Sequence, residues 1–262
     1  MSDRSSRFIA LACLLILSQF AATAAHARAC LSDLQRSSAT VSRVIDGDTV
    51  VLANGQKVRI IGINTLELDA KDPQDKQLAK QAHTTLQRLL QQERVTLFAG
   101  RDRKDRYDRL LAHIKIGSGQ DVATELLAQG LAIPVSVGRN SACAEENMII
   151  ERVAREGNLG VWSEKGEWWS DQQPRLTRFR GFSVIRASVS SAKLKGRKST
   201  LQLANGLRVK LGGAWPMNAQ DTQTLFSSLK LHTIEVRGWL GGKVTSPTLT
   251  LHHTANMQVA SP

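Results

Sequence analysis

Beyond its first 27 residues the chain has no apolar run long enough to cross a bilayer, which excludes a membrane-spanning helix there. Cysteine is scarce: there are three in 262 residues, and Cys13 lies inside the N-terminal leader. Acid is nearly missing from the final third. From Arg175 onward there are 13 basic residues against two acidic ones, whereas Arg28 to Pro174 holds 20 of each. The formal net charge of +12 therefore sits almost wholly in that last third. Such asymmetry points to a polyanion partner, nucleic acid before anionic membrane, with an inert solvated surface as the plain alternative. A hydrophobic content of 42% makes a folded chain the default, and the length leaves room for one large or two small domains.

Residues 1–27 read as a secretory signal. Arg4 and Arg7 precede the apolar run FIALACLLIL, and Ala25-His26-Ala27 places small residues at the cleavage positions. Ser18 and Gln19 interrupt the run short of the ~20 apolar residues that an anchor needs. The expectation is export, periplasmic or secreted, with no stable membrane insertion after cleavage. Two cysteines then remain, Cys30 and Cys143, and a lone pair in an exported protein favours a disulfide. Two unrelated free thiols are the alternative.

The stretch VSRVIDGDTVVLANGQKVRIIGI, from Val41, reads as strand, tight turn, strand, Asn54-Gly55 turn and strand. Asp75 to Gln92 has a helical period, with Leu78, Ala82, Leu86, Leu89 and Leu90 on one side. Short strands are expected at Val95–Phe98 and Leu110–Ile116. Helices are expected after Asp121 as a cap and over Cys143–Glu156, the second ended by Gly157. This order fits a five-stranded barrel of the oligonucleotide-binding (OB) type with helices packed on it. WWSDQQP, Trp168 to Pro174, looks like a boundary. Beyond it, alternation resumes around a second Asn-Gly turn, Asn205-Gly206. The class is α+β and mainly β: a leader (1–27), a barrel domain (28–170) and a basic, β-rich, OB-like domain (171–262). The halves share a strand, Asn-Gly, strand rhythm, but no clean sequence repeat is visible. His252 and His253 are adjacent, so on a strand they would face opposite sides and could not share a metal. Trp162 reads as core, and Trp168 and Trp169 as packing between the domains rather than base-stacking platforms.

VIDGDTVVL (Val44–Leu52) puts two carboxylates around a glycine between segments that want burial. A plain Asp-Gly turn accounts for one of them. Read with VRIIGINTLEL (Val58–Leu68) and DRYDRLLAHI (Asp105–Ile114), the sequence resembles the staphylococcal nuclease-like, or thermonuclease, family over about Thr40 to Ser163. The resemblance implies an OB-type barrel and a Ca²⁺-dependent endonuclease that hydrolyses DNA and RNA with little sequence preference, leaving 3′-phosphates. It makes Asp48 a metal ligand, with Asn64 at the second side-chain position and Thr65 giving its carbonyl. Glu67 falls where the family activates the attacking water, and Arg59 and Arg109 where it clamps the phosphate. Asp46 and Thr49 would support the site, and Tyr107 and Arg106 would contact substrate. Such chemistry needs hard oxygen ligands for the ion and planar forks for the phosphoryl oxygens. The bland readings are a strand-edge salt bridge for Arg59 and a solvated loop for RDRKDRYDR. Two residues depart from the family pattern: Asn64 replaces an acid, and Leu66 replaces a proline or alanine.

The basic domain is expected to hold the polyanion near the barrel and to be dispensable for catalysis on short substrates. The rivals are a nucleic-acid-binding protein whose nuclease site is impaired and an envelope module whose basic domain binds anionic lipid.

Overall fold

The computed structural model describes residues 30–90, 94–163, 169–171, 181–196, 198–243 and 245–260. The leader, Cys13 and Trp168 lie outside them. Strands β1 (Arg36–Val44), β2 (Thr49–Leu52), β3 (Lys57–Ile60), β5 (Arg94–Lys104) and β6 (Leu110–Lys115) close a barrel in the order β1-β2-β3-β6-β5. The β3–β6 pairing is parallel and the others are antiparallel. A two-residue strand β4 (Ile63–Asn64) pairs with β7 (Ile133–Pro134) beside it. Helices α1 (Pro73–Leu90), α2 (Val122–Ala128) and α3 (Ala144–Glu156) pack on this barrel.

The elements follow from local chemistry. Helix α1 starts two residues before the expected Asp75 because Asp72 accepts from the Gln74 and Asp75 amides (2.9 and 3.0 Å), and Pro73 fits the first turn. Its Ala82, Leu86 and Leu90 are buried against the barrel. Asp121 caps α2 as expected, accepting from the Ala123 amide at 2.9 Å. Strand β5 outruns the expected Val95–Phe98, because beyond Ala99 it continues through a register shift into the ribbon it forms with β6. Cys30 and Cys143 are bonded, with Cα atoms 5.1 Å apart, which ties the start of the described chain to the head of α3.

The second unit is also a barrel. Strands β9 (Gly181–Lys193), β10 (Thr200–Leu203), β11 (Arg208–Leu211), β13 (Ser246–Leu251) and β12 (Thr233–Lys243) close through the β12–β9 pairing. Strands β8 (Trp169–Asp171) and β14 (Met257–Val259) extend the sheet, and α4 (Ala219–Ser228) lies between β11 and β12 as α1 lies between β3 and β5. The expected boundary at Trp168–Pro174 thus contains β8, which pairs with Val184–Arg186 of β9. His252 and His253 follow β13 rather than lying on it, and His253 accepts from the Ala255 amide at 3.1 Å.

The repeat that composition hides appears in the register. Thr49 pairs with Arg59 and Val51 with Lys57; Thr200 pairs with Lys210 and Gln202 with Arg208. Val41 faces Leu52 across the same register shift that sets Val189 against Leu203. Ser42 donates to the Val51 carbonyl at 3.0 Å, and Ser190 to the Gln202 carbonyl at 2.9 Å. Thr49–Ile60 therefore lies on Thr200–Leu211 without a gap, with Thr, Leu, Ala, Asn, Gly and one Val identical. A repeat that is not visible in the sequence is thus present in the fold, since identities interleaved with core substitutions are obscured until strand pairing fixes the alignment.

The barrels share a buried interface. Along β12, Ile234 and Val236 fill the second core, while Glu235 and Arg237 point the other way, toward α3. Arg237 is 1% exposed and holds both Glu151 oxygens (2.7 and 2.8 Å) and Glu235 (2.6 Å). Arg155 reaches both Glu235 oxygens at 2.7 and 2.8 Å and stacks 3.8 Å over the Trp162 ring. Trp169 meets Trp162 edge-on at 6.1 Å, so the tryptophan expected to pack the domains does so. Ser136 and Asn256 exchange two hydrogen bonds nearby (2.9 and 2.7 Å). These contacts run against the expected dispensability of the second domain, since deleting it would take Arg237 from Glu151, leaving it Arg155 alone, and uncover Ile133 and Val161.

Arg237→Ala should cost about 3–5 kcal/mol of stability, because it leaves Glu151 and Glu235 as under-compensated buried charges. Urea denaturation would measure this, and adding Glu151→Ala should return part of the loss. Reducing Cys30–Cys143 should lower stability by on the order of 4 kcal/mol, from the entropy of the released loop. Melting curves with and without reductant check it.

Candidate active site

Three segments converge at one end of the first barrel: the β1–β2 turn, the chain from β4 to Glu67, and the β5–β6 turn. In the first, the Asp46 carboxylate accepts from the Asp48 amide at 3.0 Å and so fixes the turn. Gly47 is there for space rather than for a left-handed backbone. A Cβ at this position would lie 2.7 Å from Thr65 Oγ1 and 2.8 Å from Ala82 Cβ of α1. This close approach drops the turn onto the second segment.

Asp48 is buried and is the hub. Its Oδ2 accepts from the Thr65 amide (3.0 Å) and hydroxyl (3.2 Å) and pairs with Arg59 Nη2 at 2.9 Å. Its Oδ1 accepts from the Thr49 hydroxyl at 3.1 Å, and that hydroxyl in turn accepts from Arg109 at 3.3 Å. Arg59 Nη2 also donates to Asn64 Oδ1 at 3.0 Å, and Arg59 Nη1 donates to the Ile60 carbonyl. Asn64 donates from Nδ2 to the Thr65 carbonyl at 3.0 Å. The strand-edge salt bridge considered for Arg59 is therefore present, and it lies inside the site.

The third segment is organised by Asp105, a residue that motif reading passed over. Its carboxylate accepts from the Tyr107 and Arg109 amides (2.9 and 3.0 Å) and from Arg109 Nε at 2.7 Å, which aims Arg109 at Thr49. Burial alone would raise its carboxyl, but the Arg109 side chain and the two amides hold it below the usual range. The signal was present as an acid four residues before an arginine. Tyr107 is exposed, with Arg106 4.7 Å and Arg109 5.5 Å from its ring centre, and its hydroxyl accepts from Arg106 at 2.7 Å.

Asp46, Asp48, Thr49, Arg59, Asn64, Thr65 and Arg109 thus form one connected network, with Tyr107 and Arg106 stacked at its rim. Among the described residues the Glu67 carboxylate has no hydrogen-bond partner in this network, but it lies inside the network's field. Its carboxyl is held above the ordinary range by partial desolvation, then by the negative charges of Asp48 and Asp46. Asp46 is raised by burial and by Asp48. Leu66, beside Glu67, packs in the apolar cluster of Ile133, Val161 and Val184, so it has an interface to fill where a proline would not.

Among the described residues no three His, Cys, Asp or Glu side chains converge as a metal cluster. One carboxylate and one amide oxygen, Asp48 Oδ2 and Asn64 Oδ1, converge on Arg59, and the Thr65 carbonyl accepts from the Asn64 amide beside them; all three are hard oxygen donors of the kind that suits Ca²⁺. The Arg59 guanidinium already sits between the first two, so this is a place where a cation is stabilised. The donor set fits the ion in kind.

Residues 57–164 match the family described as Staphylococcal nuclease homologue. The chain is 32% identical to Endonuclease YncB of Bacillus subtilis (strain 168) over 132 residues, covering 48% of this chain and 62% of that protein. It is 29% identical to Thermonuclease of Staphylococcus intermedius over 137 residues, covering 50% and 79%. It is 30% identical to Thermonuclease of Staphylococcus hyicus over 137 residues, covering 51% and 80%. The chain thus spans under two thirds of the first relative's length and about four fifths of the other two.

Gly47→Ala should push Thr65 off Asp48 and displace α1, costing roughly 1–3 kcal/mol by overpacking. Ala82→Gly in the same chain should recover part of it, because one of the colliding atoms is then gone. Denaturant midpoints of the single and double variants decide this.

Proposed function

The chain belongs to the staphylococcal nuclease family, and from that premise we propose that it is an exported, Ca²⁺-dependent endonuclease acting on DNA and RNA with little sequence preference. The observation that carries the reading is the Arg59 guanidinium seated between Asp48 Oδ2 and Asn64 Oδ1, at 2.9 and 3.0 Å. It marks a pair of oxygens arranged for positive charge. Asp48, Asn64 and the Thr65 carbonyl would hold the ion. When bound, it supplies charge stabilisation to the phosphoryl group.

Glu67 takes a proton from the attacking water, whose oxygen bonds to phosphorus while the bond to the 5′ oxygen breaks, and the departing 5′ oxygen takes up a proton from solvent. The products are a 3′-phosphate and a 5′-hydroxyl. Asp46 fixes the turn that presents Asp48. Arg59 and Arg109 bring planar forks to the phosphoryl oxygens. Asp105 holds Arg109 extended toward that position, and Tyr107 with Arg106 meets a neighbouring phosphate. Export rests on the leader, and the Cys30–Cys143 bond supports an oxidising compartment.

Asn64 favours one rival, a nucleic-acid-binding barrel with impaired turnover, because it withholds a formal charge from the ion. Asn64→Asp should tighten Ca²⁺ binding by roughly tenfold, equivalent to about 1.4 kcal/mol, and change the rate at saturating Ca²⁺ much less. Glu67→Gln should lower kcat by roughly 10²–10⁴-fold with Ca²⁺ saturating, because it removes water activation. Calorimetric Ca²⁺ titration with a cleavage assay separates the two. Wild type silent with Ca²⁺ and revived by Asn64→Asp would favour the rival. An unchanged Ca²⁺ requirement in an active Asn64→Asp enzyme would remove residue 64 from the ligand set.

A further inference from the structure

The second barrel repeats the register of the first, so each candidate site position has a counterpart there. Arg59 corresponds to Lys210, because Thr49 pairs with Arg59 as Thr200 pairs with Lys210. The turn carrying Asp46 and Asp48 corresponds to the longer β9–β10 turn, which carries Lys195 and Lys198 and no acid. Arg59 is neutralised by Asp48 at 2.9 Å. Its counterpart has no such carboxylate. Among the described residues, Lys193, Lys195, Lys198, Arg208 and Lys210 form no ion pair.

The neighbouring face agrees. Lys193, Thr200, Lys210 and Thr250 lie in one row across four strands, and Gln202, Arg208 and Thr248 in the next. Their alternates Leu201, Val209, Leu249 and Leu251 are buried in the barrel, so these rows face outward. Lys193, Arg208 and Lys210 are exposed. The face is cationic and hydroxyl-bearing, with neither acid nor aromatic ring in the two rows.

We infer that the second barrel is a non-catalytic copy of the first, and that the β9–β10 turn with the outer face of β9, β10 and β11 is a binding site for the phosphodiester backbone of nucleic acid. The copy keeps the cation of the Arg59 position and lacks the acid opposite it, so the missing anion is supplied by a substrate phosphate. With no ring to stack a base, recognition is through phosphates, which makes duplex as good a ligand as single strand and the affinity strongly salt-dependent. The identity of the polyanion rests on the proposed nuclease reading; the site itself rests on register and charge.

The test uses the full chain carrying Glu67→Gln, in chelator, with a fluorescent 25-base-pair DNA duplex followed by anisotropy over a salt series. Lys195→Glu with Lys210→Glu should weaken binding at least tenfold and flatten the slope of log K against log salt by about two. Lys195→Arg with Lys210→Arg should preserve both. In the chain with Glu67 intact, the charge reversals should leave hydrolysis of a small chromogenic phosphodiester unchanged. An unaltered Kd and slope in a variant that melts like the parent overturns the proposal. So does unaltered duplex binding accompanied by lost binding to vesicles of phosphatidylglycerol, which assigns the face to a membrane. Lost duplex binding in a chain that cleaves nothing leaves the site standing and sinks the nuclease reading instead.

Discussion

Two glutamates and two arginines, taken out of water together, join the halves of this molecule. Glu151 and Arg155 come from α3, and Glu235 and Arg237 from β12, so the cluster is neutral and each half supplies both signs. Burial would push the Glu235 carboxyl up, but the two arginines hold it below its usual range, so the charged form is the one that fits. Few docking angles let one guanidinium grip both oxygens of Glu151 while touching Glu235, so the pairing fixes geometry as much as it adds affinity. The tryptophans and Leu66 follow from it. With β12 clamped to α3, the Ile133–Val161–Val184 cluster closes, and the residue next to Glu67 is held by contacts that reach into the second barrel.

Much of this was written plainly in the chain. The DGDT turn, the arginine on the following strand, the N-T-x-E segment and the paired arginine after Tyr107 are local signals, and the fold brings all but Glu67 into one hydrogen-bonded network, Tyr107 and Arg106 joining it through Asp105. The helices were legible through period and caps, as at Asp121. What sequence could not give was long-range. Glu151 and Glu235 are 84 positions apart, and nothing local distinguishes either from a solvated helix or strand acid. Leu66 looked like a lost proline because its partners, Val161 and Val184, are remote. Asp105 was hidden by its own neighbourhood, since in RDRKDRYDR every acid stands near an arginine and only geometry shows which one orients which.

The two barrels illustrate how the same framework can serve opposite electrostatic ends. A Ser hydroxyl on the Val51 or Gln202 carbonyl, a register shift and an Asn-Gly turn are shared. These set the course of the strands and say nothing about charge. The charge is decided by side chains at the rim, where neither barrel's core is affected. That separation lets one barrel gather carboxylates beneath a guanidinium while the other presents ammonium groups to solvent.

The Cys30–Cys143 bond encloses every candidate site residue, from Asp46 to Arg109, within one covalent ring. A protease that severs a single peptide bond inside that ring opens it without separating the pieces. The first barrel then keeps both fragments at the concentration of an intramolecular partner, and strands closed by five-way pairing can stay assembled around the break. Wherever proteases reach the chain, the bond makes one cut a survivable injury.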